Sequence, residues 1–282
     1  MRNGHSYIMC GALLTATLAC GCGTVNGAGM PVVAGEQLSL EYSCRLGDGS
    51  LVASNRAEAS AVGVAKRSEI MVPPRTAAPV PVVAGKGLLD DRPASTRSFE
   101  DEIAVQLAKK IVGLSTDSPL VLEIRGDGTL ASDGLSHKLP MAAVRTRVKE
   151  LHLDRATYLA RIGKEPQAGQ TYLVDPLIPG KVESVQGDDV RIRFSAVAGT
   201  SITTPFGKGV IRETPENYEI VLFPQLGSLV RTGPIVGRIS QVNERQFVVD
   251  YSDPFGGEAL SCSVLLERQR QERESGQVKA GR

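Results

Sequence analysis

The sequence predicts an α+β fold, with antiparallel strands packed on one helix and a β-rich region inserted before the last strand. Three observations carry this. Leu38, Leu40, Tyr42 and Cys44 alternate with Ser39, Glu41 and Ser43, the two-residue period of a half-buried strand. Phe99, Ile103, Leu107 and Ile111 recur every fourth residue, the stripe of an amphipathic helix. The stretch "GKVESVQGDDVRIRFSAVAG" from Gly180 is matched without a gap, 57 residues on, by "GRISQVNERQFVVDYSDPFG" from Gly237. In the two copies Gly180/Gly237, Val185/Val242, Ser195/Ser252 and Gly199/Gly256 coincide, and apolar positions are kept at Val182/Ile239, Val190/Phe247, Ile192/Val249 and Phe194/Tyr251. That pattern predicts a duplicated hairpin unit.

The elements follow in order. Arg2 and the apolar run Tyr7–Leu18, too short for a stable membrane span, lead into "LACGCG". Small residues before a cysteine suit a lipoprotein signal peptidase, so 1–22 reads as a lipoprotein signal peptide with lipid on Cys20 or Cys22; the alternative is an ordinary secreted protein cleaved nearby. No Asp follows either cysteine, which predicts an outer-membrane lipoprotein facing the periplasm or the cell surface, an oxidising setting. Glu36–Val52 is a hairpin turning at Gly47-Asp48-Gly49. The segment from Ala53 to Pro81, with "VPPRTAAPVP" inside it, is expected to be a solvated surface loop, since Pro-rich text cannot pair as a central strand.

Ser98 suits the N-cap of the helix, Glu100, Asp101 and Glu102 complement its dipole, Lys109 and Lys110 lie in its last turn, and Gly113 follows its end. "PLVLEI" from Pro119 is a strand, and Arg125–Gly128 is a turn rather than an adhesion motif. The spacing of Met141, Val144, Val148 and Leu151 predicts a second helix. Asp154 caps a short third one carrying Leu159 and Ile162 and stopped by Gly163. From Gly169 the chain is strands and turns, broken at Ser252–Gly257 before a final strand with Leu260, Cys262 and Val264 in alternation.

Composition excludes several functions. The 32 basic and 31 acidic residues are mixed along the chain, so no basic face points to nucleic acid. His5, His137 and His152 have no metal-ligand spacing, and no haem motif occurs, so neither metal nor cofactor is expected. The Gly-Lys-Gly at Gly85 lacks the rest of a phosphate-binding loop. With no Trp and twelve Phe plus Tyr, the core must be largely aliphatic.

Four stretches resemble the FKBP-type peptidyl-prolyl isomerases, in particular the SlyD-like branch, which carries a domain inserted in the flap. "LSLEYSCRLGDGSLVAS" is similar to the family's early hairpin, "VVAGKGLL" to the approach to its helix, and "FEDEIAVQLAKKIVGLSTDSPLVLEI" to the helix and next strand. "VVDYSDPFGGEALSCSVLLE" is similar to the return from the inserted domain and the last strand. The resemblance implies an antiparallel half-barrel wrapped on the helix. It divides the chain into the signal peptide 1–22, a core at 30–125, an inserted β-rich domain at 126–254, a final core strand at 255–268 and a charged tail at 269–282.

It also implies the activity: cis-trans isomerisation of prolyl bonds, or help in folding exported proteins. The clients would be unfolded or proline-containing, and the membrane would be met through the lipid. The alternative is a non-catalytic lipid-anchored chaperone or assembly scaffold that keeps the fold. Prolyl rotation needs no nucleophile; an apolar pocket strips water from the amide and holds it twisted. The pocket-equivalent positions are Tyr42, Val52, Val82, Leu88, Phe99 and Cys262. Val52 and Ala53 replace the family's Phe-Asp pair, Cys262 replaces a Phe, and a weak site is expected. The resemblance makes the strands of Cys44 and Cys262 neighbours, so a disulfide and two separately buried thiols both remain open.

Overall fold

A computed structural model describes residues 30–57, 66–116, 118–128 and 137–268. The segment 1–22 expected to be a signal peptide, the lipidation candidates Cys20 and Cys22 and the tail 269–282 lie outside the described residues.

Among the described residues the fold is mostly β-sheet with two α-helices. Strands from both ends of the chain build one six-stranded antiparallel sheet, curled as a half-barrel. β1 (Gln37–Arg45) is its centre. It pairs with β2 (Leu51–Ser54), β3 (Val80–Val83) and the last strand, Leu260–Arg268; β4 (Gly87–Leu88) pairs with β3, and β5 (Leu120–Ile124) pairs with the last strand. The alternation of β1 appears as burial: Leu38, Leu40, Tyr42 and Cys44 are all at most 1% exposed.

Against this sheet lies α1 (Phe99–Lys110). Ser98 accepts from the Asp101 amide and Asp101 from the Ser98 amide, a reciprocal capping box that satisfies two otherwise orphaned donors. Phe99, Ile103, Leu107 and Ile111 are all buried, each contributing about 1.5–3 kcal/mol of apolar burial. Cys44 and Cys262 lie opposite one another in register and are joined as a disulfide.

The segment after β2 differs from the solvated loop expected of it. Asn55 is buried and knits strand ends together, accepting from the Tyr42 amide (2.7 Å) and donating to the Leu40 (2.8 Å) and Ala78 (3.1 Å) carbonyls. Ile70 is inserted into the core at 2% exposure. Pro81 lies within β3 opposite Ser39; it is tolerated because β4 reaches only Val82 and Val83 on the far side.

The expected second helix is not helical. Residues 138–154 form three consecutive strands, β6 (Lys138–Ala142), β7 (Val144–Val148) and β8 (Glu150–Asp154). Each joins a different three-stranded meander. β8 pairs into β9 (Thr171–Tyr172), β10 (Gly180–Gln186) and β11 (Asp189–Phe194). β7 pairs into β12 (Ser201–Thr204), β13 (Gly207–Glu213) and β14 (Asn217–Leu222). β6 pairs into β15 (Leu229–Thr232), β16 (Ile235–Val242) and β17 (Gln246–Asp250). Between β8 and β9 lies α2 (Arg155–Ile162), capped by Asp154 and ended by Gly163 at φ +73°. The chain passes the third sheet, then the second, then the first, and after α2 builds the rest of each in the opposite order.

The repeated unit therefore occurs three times rather than twice. Gly169, Gly199 and Gly227 sit at φ +83°, +81° and +84°, and their amides donate to Val182, Ile211 and Ile239, each at 2.8 Å. The carbonyls of His137, Ala143 and Lys149, six residues apart, accept from Tyr251, Leu222 and Phe194. The amides of Ala143, Lys149 and Arg155 donate to Arg245, Glu216 and Asp188. The three sheets share one core, including Tyr172, Ile192, Phe194, Ile220, Phe247 and Val249.

Gly180, Gly209 and Gly237 hold the same place in the three units, where a side chain has no room. A Cβ on Gly209 would lie 2.6 Å from the Val221 carbonyl oxygen and 3.0 Å from Leu222; one on Gly237 would lie 2.7 Å from Tyr251. Gly209→Ala is expected to cost about 1–3 kcal/mol through overpacking, read as a lower denaturant midpoint, although it is the better residue by local propensity. An unchanged midpoint would mean that the second unit is not built to the same tight register as its neighbours.

Candidate functional site

The six positions singled out in the sequence converge on the face of the curled sheet that receives α1. Tyr42 lies on β1, Val52 on β2, Val82 on β3, Leu88 on β4, Phe99 at the first residue of α1 and Cys262 on β18 (Leu260–Arg268). All belong to one hydrophobic core, with Leu88 the most exposed at 8%. They are brought together as packing: Tyr42, Val52, Val82 and Cys262 have essentially no surface, and the Cys262 sulfur is taken up by Cys44. Burial, with the Glu100 and Asp101 charges adding to it, pushes the Tyr42 phenol well above its usual range, so it is a neutral donor, directed at the Glu100 carbonyl at 3.4 Å.

Phe99 lines a cavity. A cleft of about 180 Å³ opens between the start of α1 and the third inserted sheet, walled by Phe99, Ala94, Ile235, Val236, Tyr251 and Pro254, with Ser95, Arg97, Glu102 and His137 at its polar parts. The Phe99 ring meets Phe255 edge-on, with centroids 5.8 Å apart, and the Phe99 amide donates to the Pro234 carbonyl at 2.8 Å. The third sheet is thus joined to the half-barrel; its Val236 and Leu229 pack in the core of α1. A cleft of this size admits one apolar side chain or ring rather than a whole small-molecule ligand, for which several hundred Å³ is usual.

Arg231, on β15, ties this joint together. Its guanidinium makes a two-pronged pair with Glu100 (2.7 and 2.9 Å), donates to the Ile70 carbonyl (3.4 Å) and lies 5.8 Å over the Phe99 ring. On its other side a larger cavity of about 600 Å³ runs between the 69–72 segment and the second and third sheets, lined by Glu69, Val72, Thr203, Pro205, Leu229 and Arg231 among others. Sequence reading missed Arg231, Ile70 and Asn55. Only Asn55 carried a local signal, an amide directly after a strand; the other two acquire their partners from distant parts of the chain.

Exposed ion pairs cluster on the first inserted sheet. On the first sheet His152 faces Glu150 (3.0 Å) and Asp189 (3.2 Å), whose hydrogen bonds hold its pKa above the ordinary value, while Arg191 first and His152 second lower Glu150 to about 2. No group of three or more His, Cys, Asp or Glu among the described residues is arranged to hold a metal ion. Neither a protein-family model nor a curated protein matches the chain.

Arg231→Ala removes two charge-assisted hydrogen bonds and leaves a half-buried Glu100 facing the joint. It is expected to destabilise the protein by about 1.5–3 kcal/mol and to raise hydrogen exchange in β15 and β16 before β13 and β14. Equal exchange in all four strands would show that this residue does not hold the third sheet to α1.

Proposed function

We propose that the chain is a lipid-anchored folding helper or assembly scaffold of the cell envelope, with an FKBP-like body whose prolyl site is closed at rest. The observation that carries this reading is the burial of the pocket-equivalent residues: Tyr42, Val52, Val82 and Cys262 are at most 1% exposed. A pocket that twists a prolyl amide must first admit it and take it out of water. The half-barrel curled on α1, with its first and last strands adjacent, supports the FKBP-like part of the reading, as do the four resembling stretches. The anchor rests on "LACGCG".

The inserted sheets support polypeptide binding. In the third unit Phe255, one residue before Gly256, is buried against Phe99 at 1% exposure. The matching residue of the second unit is Leu226, one before Gly227, and it is 69% exposed with Phe223 beside it at 51%. In the first unit Leu173, Val174 and Val197 are likewise exposed. Apolar corners left open on a repeated scaffold suit transient contact with the apolar side chains of an incompletely folded protein.

A second reading, a working peptidyl-prolyl isomerase, is favoured by one observation: Phe99, the position at the floor of the family's pocket, borders the 180 Å³ cleft. One pair of assays separates the two. In an aggregation assay the protein is expected to suppress precipitation of an unfolded client, and Phe223→Asp with Leu226→Asp is expected to weaken suppression several-fold. In a protease-free peptide assay, Xaa-Pro isomerisation is expected to stay near the uncatalysed rate. Rapid isomerisation lost in Phe99→Ala would establish the second reading, and failure to suppress aggregation would remove the first.

A further inference from the structure

The stretch after residue 65 is exposed or half-exposed at Lys66, Arg67, Ser68, Glu69, Met71 and Val72, with one buried exception, Ile70. This strap is bonded to β2, with Arg67 bridged to Leu51. The Leu51 amide donates to the Lys66 carbonyl (2.8 Å), the Ser68 amide to the Leu51 carbonyl (2.9 Å), and the Met71 amide to the Ser68 carbonyl (3.1 Å), closing a turn. Lys66 pairs with Asp48 on the exposed side. Ile70 is buried in the same core as Tyr42, Val52, Phe99 and Val236, and its carbonyl accepts from Arg231. Beyond the strap is the cavity of about 600 Å³, which Ile70 also lines.

One aliphatic side chain in an apolar site, with its own carbonyl on a guanidinium, is the arrangement an extended peptide makes when it anchors by a single residue. We propose that the Lys66–Val72 strap is an internal occupant of a peptide-binding site. The Ile70 side chain stands where the prolyl or branched aliphatic side chain of an extended peptide would sit, and the Ile70 carbonyl stands where that residue's carbonyl would meet Arg231. The ligand class is an extended segment presenting Pro, Val or Ile, and the site opens when the strap swings toward the larger cavity. This rests on the polypeptide-binding reading and adds to it where the peptide enters and what it displaces. A ligand that must first expel the strap binds with an affinity lowered by the fraction of molecules in which the strap is out.

The test uses the full chain and a fluorescein-labelled, end-blocked Ala-Leu-Pro-Phe peptide. Ile70→Ala removes the internal side chain and is expected to tighten peptide binding about tenfold or more over the wild type. In the wild type, saturating unlabelled peptide is expected to speed exchange of the Ser68 amide while leaving β1 amides unchanged, a readout that survives if Ile70→Ala folds poorly. A natively folded Ile70→Ala protein that binds no better, or a Ser68 amide indifferent to peptide, overturns the assignment. Suppression of aggregation by the wild type without a gain for Ile70→Ala overturns the strap assignment alone. A gain without suppression upholds it and removes the broader chaperone reading.

Discussion

Leu38–Arg45 lies antiparallel to Ser261–Arg268, residue for residue, with Cys44 bonded to Cys262 near one end. At the other end Arg268 donates to Glu36 (2.7 Å) and to the Met30 carbonyl (2.6 Å). The remaining structure depends on this pairing, because it makes the chain between β5 and β18, which builds the other three sheets, a closed excursion that leaves the half-barrel and returns to it. The entropy of closing so long a loop grows only slowly with its length, so the body tolerates a large insert. The disulfide sets a limit on how far the two strands can part. The same closure fixes the floor on which α1 packs, and with it the burial of Tyr42, Val52 and Val82.

The insert solves its own version of the closure problem. A three-stranded meander leaves its edges unpaired, and three meanders in succession would leave several. The extended run 138–154 supplies one extra strand to each, passing from sheet to sheet with a six-residue period and bonding at His137, Ala143, Lys149 and Arg155 to equivalent places in the three units. The third unit is adapted to the half-barrel where the second is not: Arg231, Val236 and Phe255 have Thr203, Lys208 and Leu226 at the matching positions of the second. The units thus share a core but not a role. One is the joint, and two present surface.

Local periodicity was legible where one element buries one face. The β1 alternation, the α1 stripe with its Ser98 cap, and the α2 boundaries at Asp154 and Gly163 could all be read from neighbouring residues. Residues 138–154 could not. Met141, Val144, Val148 and Leu151 imitate a helical stripe, yet Val144 and Val148 are exposed and the half-buried Met141 and Leu151 face different sheets. The side chains answer to three partners in turn, which no single periodicity describes. The middle unit escaped notice because Gly180, Gly209 and Gly237 are separated by 29 and then 28 residues, so a gapless 57-residue match steps over it. At the candidate site, the residue types suggested a pocket, but Ile70 and Val236 complete the core there and Arg231 lies over Phe99, all brought from distant parts of the chain.

Native-state hydrogen exchange, resolved by residue, tests most directly the claim that β1–β18 closure governs the rest. Amides of β1 and β18 are expected to exchange only through global unfolding. The first and second inserted sheets should open at lower free energy, and the third should be intermediate through its tie to α1. Reducing the disulfide should lower protection throughout the half-barrel and leave the first two sheets little changed. Exchange of β1 and β18 ahead of the inserted sheets, or loss of the first two sheets together with the half-barrel on reduction, would contradict the account.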